Sequence, residues 1–388
     1  MNWNRSHPAQ TLRTSDAPTL ARALQATRQR TLALAQAWAD ASPVVPLADE
    51  LNPPLWELGH VGWFQEWWIA RNRQRALGPA CDPLHARPRS RLARADALYD
   101  SGAVAHDTRW QLDLPGFDAT LRYLEAVQAD TLALLQDLAP DAGDDALYFW
   151  RLVLFHEDMH NEAAVYMAQA LGVPVPDALA DVSVAPPMLP GGPQEITVPA
   201  QTWTLGSAPG GFVFDNELGA HTVELAAFRI DAAPVSWARY LAFVQATGHP
   251  LPAHVRHRDG QWEAQRLGLW RPLDKAAPAV HLCCADAESW CRWAGRRLPT
   301  EAEWECAALT QAGMAWGTVW EWTASLFEPY PGFVAHPYRD YSAPWFGTRR
   351  VLRGASRATS PHLVHARYRN FFTPDRTDID AGFRSSAV

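Results

Sequence analysis

No stretch of this 388-residue chain has the uncharged apolar length needed to span a bilayer, and its opening residues, MNWNRSHPAQTLRTSD, lack the apolar core of a secretory signal. An excess of positive charge is absent as well. The net charge is -8 and the isoelectric point near 5.9, which argues against a broad nucleic-acid or anionic-membrane surface. Cysteine is sparse: Cys81, Cys283, Cys284, Cys291 and Cys306 form neither a CxxC pair nor a zinc-knuckle pattern. An odd count with two adjacent residues reads as reduced thiols, and the expected location is the cytoplasm. No internal repeat or low-complexity tract is evident, so solenoid and disordered classes are excluded.

What remains is a globular composition, 48% hydrophobic and 20% charged, with length enough for two domains. The 19 tryptophans are the unusual feature. Aromatic density on that scale suits pockets for flat or cationic ligands. Ser15-Asp-Ala-Pro18 reads as a helix start, and Leu20, Leu24, Leu34 and Trp38 recur at helical spacing to about Ala41. Asn52-Pro-Pro opens a second helix through Trp68. Residues 78–116, rich in Pro, Arg and Gly, read as a long crossover loop. A third amphipathic helix is expected over Phe117–Leu138 and a fourth from Gly143-Asp144 to Leu171-Gly172, where glycine ends it. Four long helices with one extended connection make a four-helix bundle, residues 1–180. Pro174–Pro193 reads as a linker. From residue 194 to 388, short strand-like runs (Ile196–Val198, Trp203–Leu205, His221–Leu225) and helical segments near Ala285–Ala294 and Thr300–Ala308 point to an irregular α+β domain.

The chemistry concentrates in the fourth helix. His156 and His160 lie four residues apart in an apolar segment, so their side chains share one face and can hold one metal ion. A lone histidine on such a face is most often a core residue. Two buried together need either separate hydrogen-bond partners or a shared ion. His60, on the inward stripe of the second helix with Trp56, Phe64 and Trp67, is the best third ligand; Glu157 and Glu162 are weaker, since Glu162 falls about 200° round the helix from His160. His156-Glu157-Asp-Met-His160 also satisfies the HExxH pattern of zinc proteases, but the downstream ligand of the HExxHxxGxxH form is missing. Three neutral imidazoles leave a divalent ion its full charge and, in an octahedral site, three open positions, which favours an anionic ligand such as a thiolate or selenolate. Spacing does not identify the metal.

His60 with HxxxHxE (His156, His160, Glu162) on a helical bundle resembles the non-haem iron sulfoxide synthases of ergothioneine biosynthesis. The second half carries Arg297-Leu-Pro-Thr-Glu-Ala-Glu-Trp-Glu305, Gly317-Thr-Val-Trp-Glu-Trp-Thr323, Val351-Leu-Arg-Gly-Ala355, Arg369-Asn-Phe-Phe and Ala381-Gly-Phe-Arg384. These strings look like the formylglycine-generating-enzyme fold that forms the second domain of the same family. The resemblance implies a DinB-like bundle followed by a C-type-lectin-like α+β domain. It also implies an O2-dependent oxidoreductase holding iron(II), Fe(2+), on His60, His156 and His160 at the interface between the domains. Such an enzyme joins a chalcogen to imidazole C2 of hercynine. A tyrosine of the second domain, Tyr338 or Tyr341 here, is expected near the metal to assist proton or electron delivery, and Asn370 and Phe371 fall where the family contacts hercynine.

Two departures bear on the donor. Members using γ-glutamylcysteine have an acidic residue two places after the Asn, where this chain has Phe372, and Gln between the helical histidines, where it has Met159. An aromatic ring cannot pair with a substrate ammonium as a carboxylate does. With the compact Ala308–Trp316 region, these features look more like the selenoneine synthase branch, which takes selenium from a selenosugar; a thiol donor is the alternative. Met159, Phe372 and Arg376 are the donor-side candidates. The arginines at 87, 89, 91 and 94 read either as an anion- or sugar-facing loop or as a solvated basic one. The expected partners are therefore small molecules, with no nucleic acid or membrane, on a monomer or weak dimer.

Overall fold

The computed structural model describes residues 8–182 and 194–388. Its contacts divide the chain into two compact units. One runs to Ala180 and also takes in Gly210–Phe212 and His336–Asp340; the other holds Asp181–Pro209, Val213–Ala335 and Tyr341–Val388. The expected Pro174–Pro193 linker lies outside the described residues from 183 onward. Its earlier part contains a single helical turn, Asp177–Ala180.

The first unit is built on four long helices. After a short helix α1 (Pro8–Arg13) come α2 (Ala17–Ala41) and α3 (Pro54–Trp68). A short helix α4 (Ala95–Tyr99) precedes α5 (Phe117–Gln136) and α6 (Asp144–Leu171). The ends follow the sequence signals. Asp16 caps α2 by accepting from the Thr19 amide, and Gly172 closes α6 in the left-handed conformation. Helix α3 is apolar nearly all round and is buried on all sides, with Trp56, Leu58, Val61, Trp63, Phe64 and Trp68 under cover. The segment expected as one long loop instead contains α4 and two 3₁₀ turns, at Arg75–Ala80 and His106–Gln111. Tryptophan indoles organise it: Trp56 Nε1 donates to the Leu98 carbonyl (2.7 Å) and Trp63 Nε1 to Asp96 (2.7 Å), which Arg71 also grips with both Nη atoms. Loop polarity in the sequence does not reveal such bonds.

Within the second unit the strands form two four-stranded sheets. The first comprises Glu195–Val198, Phe228–Asp231, Ser386–Ala387 and Arg296–Arg297. The second comprises Asn370–Phe372, Arg350–Gly354, Trp320–Leu326 and Ala381–Gly382. A hairpin of Gln201–Leu205 with His221–Leu225 and a three-stranded meander over Val255–Pro272 complete the strands. The expected helices appear at Cys284–Ala294 and Glu301–Thr310, the latter opened by the Thr300/Glu303 capping box. A further helix, Trp237–Thr247, went unread although its apolar positions recur at helical spacing and Gly248 ends it. The core is held partly by charge. Arg353 and Arg369 meet at Glu301, and Arg384 pairs with Glu321, all at most 9% exposed. All five cysteines are free thiols, and among the described residues no helix is long and apolar enough to cross a membrane.

Gly59 shows how tightly α3 is packed. A Cβ at that position would stand 2.2 Å from the Tyr99 ring, and Tyr99 is fully buried. Gly59→Ala should therefore destabilise the bundle by about 1–3 kcal/mol, read as a lowered midpoint in urea unfolding. An unchanged midpoint would mean that the α3–α4 contact is looser than it looks.

Candidate metal centre

The site begins with three rings from two helices. His60 on α3 and His156 and His160 on α6 present ligand nitrogens that all lie within 4.8 Å of one another. His156 Nε2 is 3.3 Å from His60 Nε2 and 3.2 Å from His160 Nε2. Nitrogens bonded to one ion at about 2.0–2.1 Å, at angles between octahedral and tetrahedral, stand roughly 2.8–3.4 Å apart. His60 and His156 are buried and His160 partly so.

The opposite ring nitrogens fix the tautomers. His60 Nδ1 sits 2.8 Å from the Tyr99 carbonyl, which can only accept, so the hydrogen is on Nδ1 and the lone pair on Nε2. His160 Nδ1 faces the Glu57 carboxylate in a short contact, with the same consequence. Burial first, and then the neighbouring His160, lowers the His60 pKa to about 3. Burial followed by the charges of its two neighbours puts His156 well below the ordinary imidazole value. Burial alone would raise Glu57, yet its bonding to His160, with His60 and Arg109 nearby, brings its carboxyl down to about 2. Inward lone pairs repel one another, and a hydrogen on His156 Nε2 can serve only one neighbour. A cation satisfies all three, so this donor set fits a divalent transition metal.

Around the rings the first unit is aromatic. Trp56 stacks on His60 (centroids 4.9 Å apart, planes 8° apart) and Phe64 lies flat on His156 (3.5 Å, 3°). Tyr338, far downstream in sequence, belongs to this unit: its ring meets Phe64 edge-on at 4.9 Å and His156 at 6.0 Å. Burial, reinforced by the Asp340 and Asp100 carboxylates, raises its phenol pKa and keeps it protonated. Met159 follows His156 on α6, half-buried. Of the basic loop, Arg91 pairs with Asp130 and Arg87 lies across the Trp67 and Trp68 rings.

Tyr341 falls in the second unit. There its hydroxyl donates to Tyr368 (3.1 Å) and its ring stacks on Phe214. The same unit carries Asn370, Phe371 and Phe372 on one edge strand. Asn370 Oδ1 accepts from the Phe371 amide, and Phe371 stacks on Phe327 at 4.0 Å. The Arg376 guanidinium lies over Phe372 and is held by both oxygens of Asp378, at 2.5 and 2.6 Å.

The two weaker carboxylate candidates are engaged elsewhere. Glu157 receives Arg28 through Nε (2.7 Å) and Nη2 (3.0 Å), together with the Thr31 hydroxyl, and Glu162 receives the Tyr166 hydroxyl. The glutamate that a zinc protease would use as its base is thus tied to a buried arginine. Sequence reading missed Glu57, although the signal was there: it lies three residues before His60, one turn away. Glu57→Ala should weaken binding of a divalent ion about 10- to 100-fold, measured by chelator competition, with helix content unchanged. Equal affinity would show that Glu57 does not orient His160.

Comparison with known proteins follows the same division. Residues 23–168 match the DinB superfamily, and residues 184–316 and 312–386 match the sulfatase-modifying factor enzyme 1-like domain. A hercynine oxygenase of Mycolicibacterium smegmatis is 31% identical over 94% of this chain and 98% of its own length; one of Mycobacterium tuberculosis is 30% identical over 86% and 90%. A formylglycine-generating enzyme of Streptomyces coelicolor is 29% identical over 49% of this chain and 88% of its own. A bundle with three converging imidazoles, a second unit of sulfatase-modifying-factor type, and relatives aligned nearly end to end together show that the chain belongs to the hercynine oxygenase family.

Proposed function

We propose that this protein is an O2-dependent, iron(II)-containing oxidoreductase that forms a carbon–selenium bond at imidazole C2 of hercynine, with a selenosugar as donor. The observation that carries the reading is the inward convergence of the His60, His156 and His160 lone pairs, each of the outer two locked by a partner on its far nitrogen. Iron(II) held there supplies the dioxygen chemistry that no amino-acid side chain provides. The protein's part is positioning. Glu57 and the Tyr99 carbonyl keep two rings aimed, and Phe64 and Trp56 cover them from water. Tyr338, protonated and in ring contact with His156, is the proton source on this reading. Asn370 and Phe371 would contact hercynine, whose trimethylammonium group suits aromatic faces.

The donor assignment rests on two features. Phe372 stands where thiol-using members carry an acid, and Arg376 is already neutralised by Asp378. Neither side chain therefore offers a free charge to the ammonium or carboxylate of an amino-acid donor, whereas the sugar ring of a selenosugar carries no charge that needs one. The second reading, an ergothioneine-type synthase using cysteine or γ-glutamylcysteine, draws on the near full-length likeness to hercynine oxygenases.

Aerobic incubation of the iron-loaded protein with hercynine and each donor in turn, followed by mass analysis, separates these readings. The selenosugar should give the selenium adduct, with the thiols at least about ten-fold slower in kcat/KM. Thiol adducts alone would move the protein to the sulfur reading, and turnover without O2 would end both. Tyr338→Phe should lower kcat about 100-fold or more with little change in KM for hercynine, while Tyr341→Phe keeps near wild-type kcat.

A further inference from the structure

The bundle is not filled solid. A cavity of about 290 Å³ lies within the first unit, lined by residues of α2, α3 and α6 with Phe117 of α5. Its walls include Leu34, Leu58, Val61 and Met167, and exposed Ala39 and Ser42 stand among its lining residues. His160 and Glu57 are among its lining residues. The cavity thus borders His160, whose Nε2 lies 3.2 Å from that of His156.

Most of its polar side chains are already engaged, the Trp38 indole N–H being the buried donor left over. The Thr31 hydroxyl is bonded to Glu157 and to the Thr27 carbonyl, and Asn161 donates to the Thr27 carbonyl. Glu57 accepts from Asn52 through one oxygen and from His160 through the other. A zwitterionic or sugar-like molecule would lose its water here and gain few partners, at a cost of a few kcal/mol for each unpaired polar group. Its predominantly apolar walls favour small apolar guests over charged ones.

We infer that this cavity is the reservoir and access path through which dioxygen reaches the histidine cluster, apart from the route taken by the polar substrates. The inference rests on the function proposed above: of hercynine, chalcogen donor and O2, only O2 is small and apolar enough for these walls. It assigns a role to the α2 face of the bundle, which supplies no candidate ligand.

Xenon, an apolar probe of comparable size, tests it without turnover. Crystals of the full chain pressurised with xenon should show a bound atom between Leu34, Val61 and Met167. Ala35→Phe, which places a ring in the cavity, and Ala39→Trp, at an exposed lining position where folding is not at risk, should remove it. In steady state both variants should raise KM for O2 about three-fold or more, while iron content and KM for hercynine stay at wild-type values. A cavity without xenon in the wild type, or an unchanged KM for O2 in a variant whose crystal structure shows the cavity filled, overturns the inference. KM values for O2 and hercynine rising together would overturn it too, by marking general disturbance of the site. Failure of the functional reading looks different: the wild type would consume no O2 with hercynine, whatever xenon shows.

Discussion

The histidine cluster depends on two hydrogen bonds made on its outer side. The Tyr99 carbonyl and the Glu57 carboxylate each hold the far nitrogen of a ring, and so turn the lone pairs of His60 and His160 inward. Without those partners the rings are free to turn, and inward lone pairs would be unfavourable in a buried site. The stacking of Trp56 on His60 and Phe64 on His156 restricts rotation further and keeps water from competing. A preorganised donor set of this kind avoids the ordering cost that a metal would otherwise meet on binding.

The same helices carry a second buried polar system that is structural. Arg28 of α2 bonds Glu157 of α6, Gln65 of α3 and the Leu124 carbonyl of α5, so one side chain joins all four long helices. A buried pair of this sort adds little net stability over an apolar replacement, but losing one partner costs about 3–5 kcal/mol. It also sets the register of α6 against α2, with Glu157 turned to Arg28 and the flanking His156 and His160 facing α3. In the second unit Glu301, between Arg353, Arg369 and Tyr330, ties helix, strand and loop in a comparable way.

A cavity beside such a firmly held core is unusual, because interiors normally pack to the density of organic crystals. Unfilled space next to His160 forgoes dispersion contacts that a larger side chain at Ala35 or Ala164 would recover. Its position beside His160, with most of its polar groups already engaged, is what gives that omission a chemical meaning.

Helix bounds, the His156/His160 pair and the choice of His60 were legible in the sequence, because period 3.6, caps and i, i+4 spacing are local properties of the chain. Glu57 was legible in principle at i−3 from His60, but a glutamate on an apolar helix does not announce its partner. The bonds made by the Tyr99 carbonyl and by Arg28, and the ring contact that Tyr338, one of the two tyrosines expected near the metal, makes with His156, were decided by tertiary structure. A backbone carbonyl carries no residue identity, Arg28 meets Glu157 across 129 positions, and Tyr338 lies among second-unit residues in sequence yet packs on Phe64 and His156. By itself the sequence determined which side chains share a helical face and hence that two imidazoles stand one turn apart on it. Folding decided which distant groups aim those side chains and which phenol stands beside them, because such contacts depend on how the chain returns on itself and not on any local period.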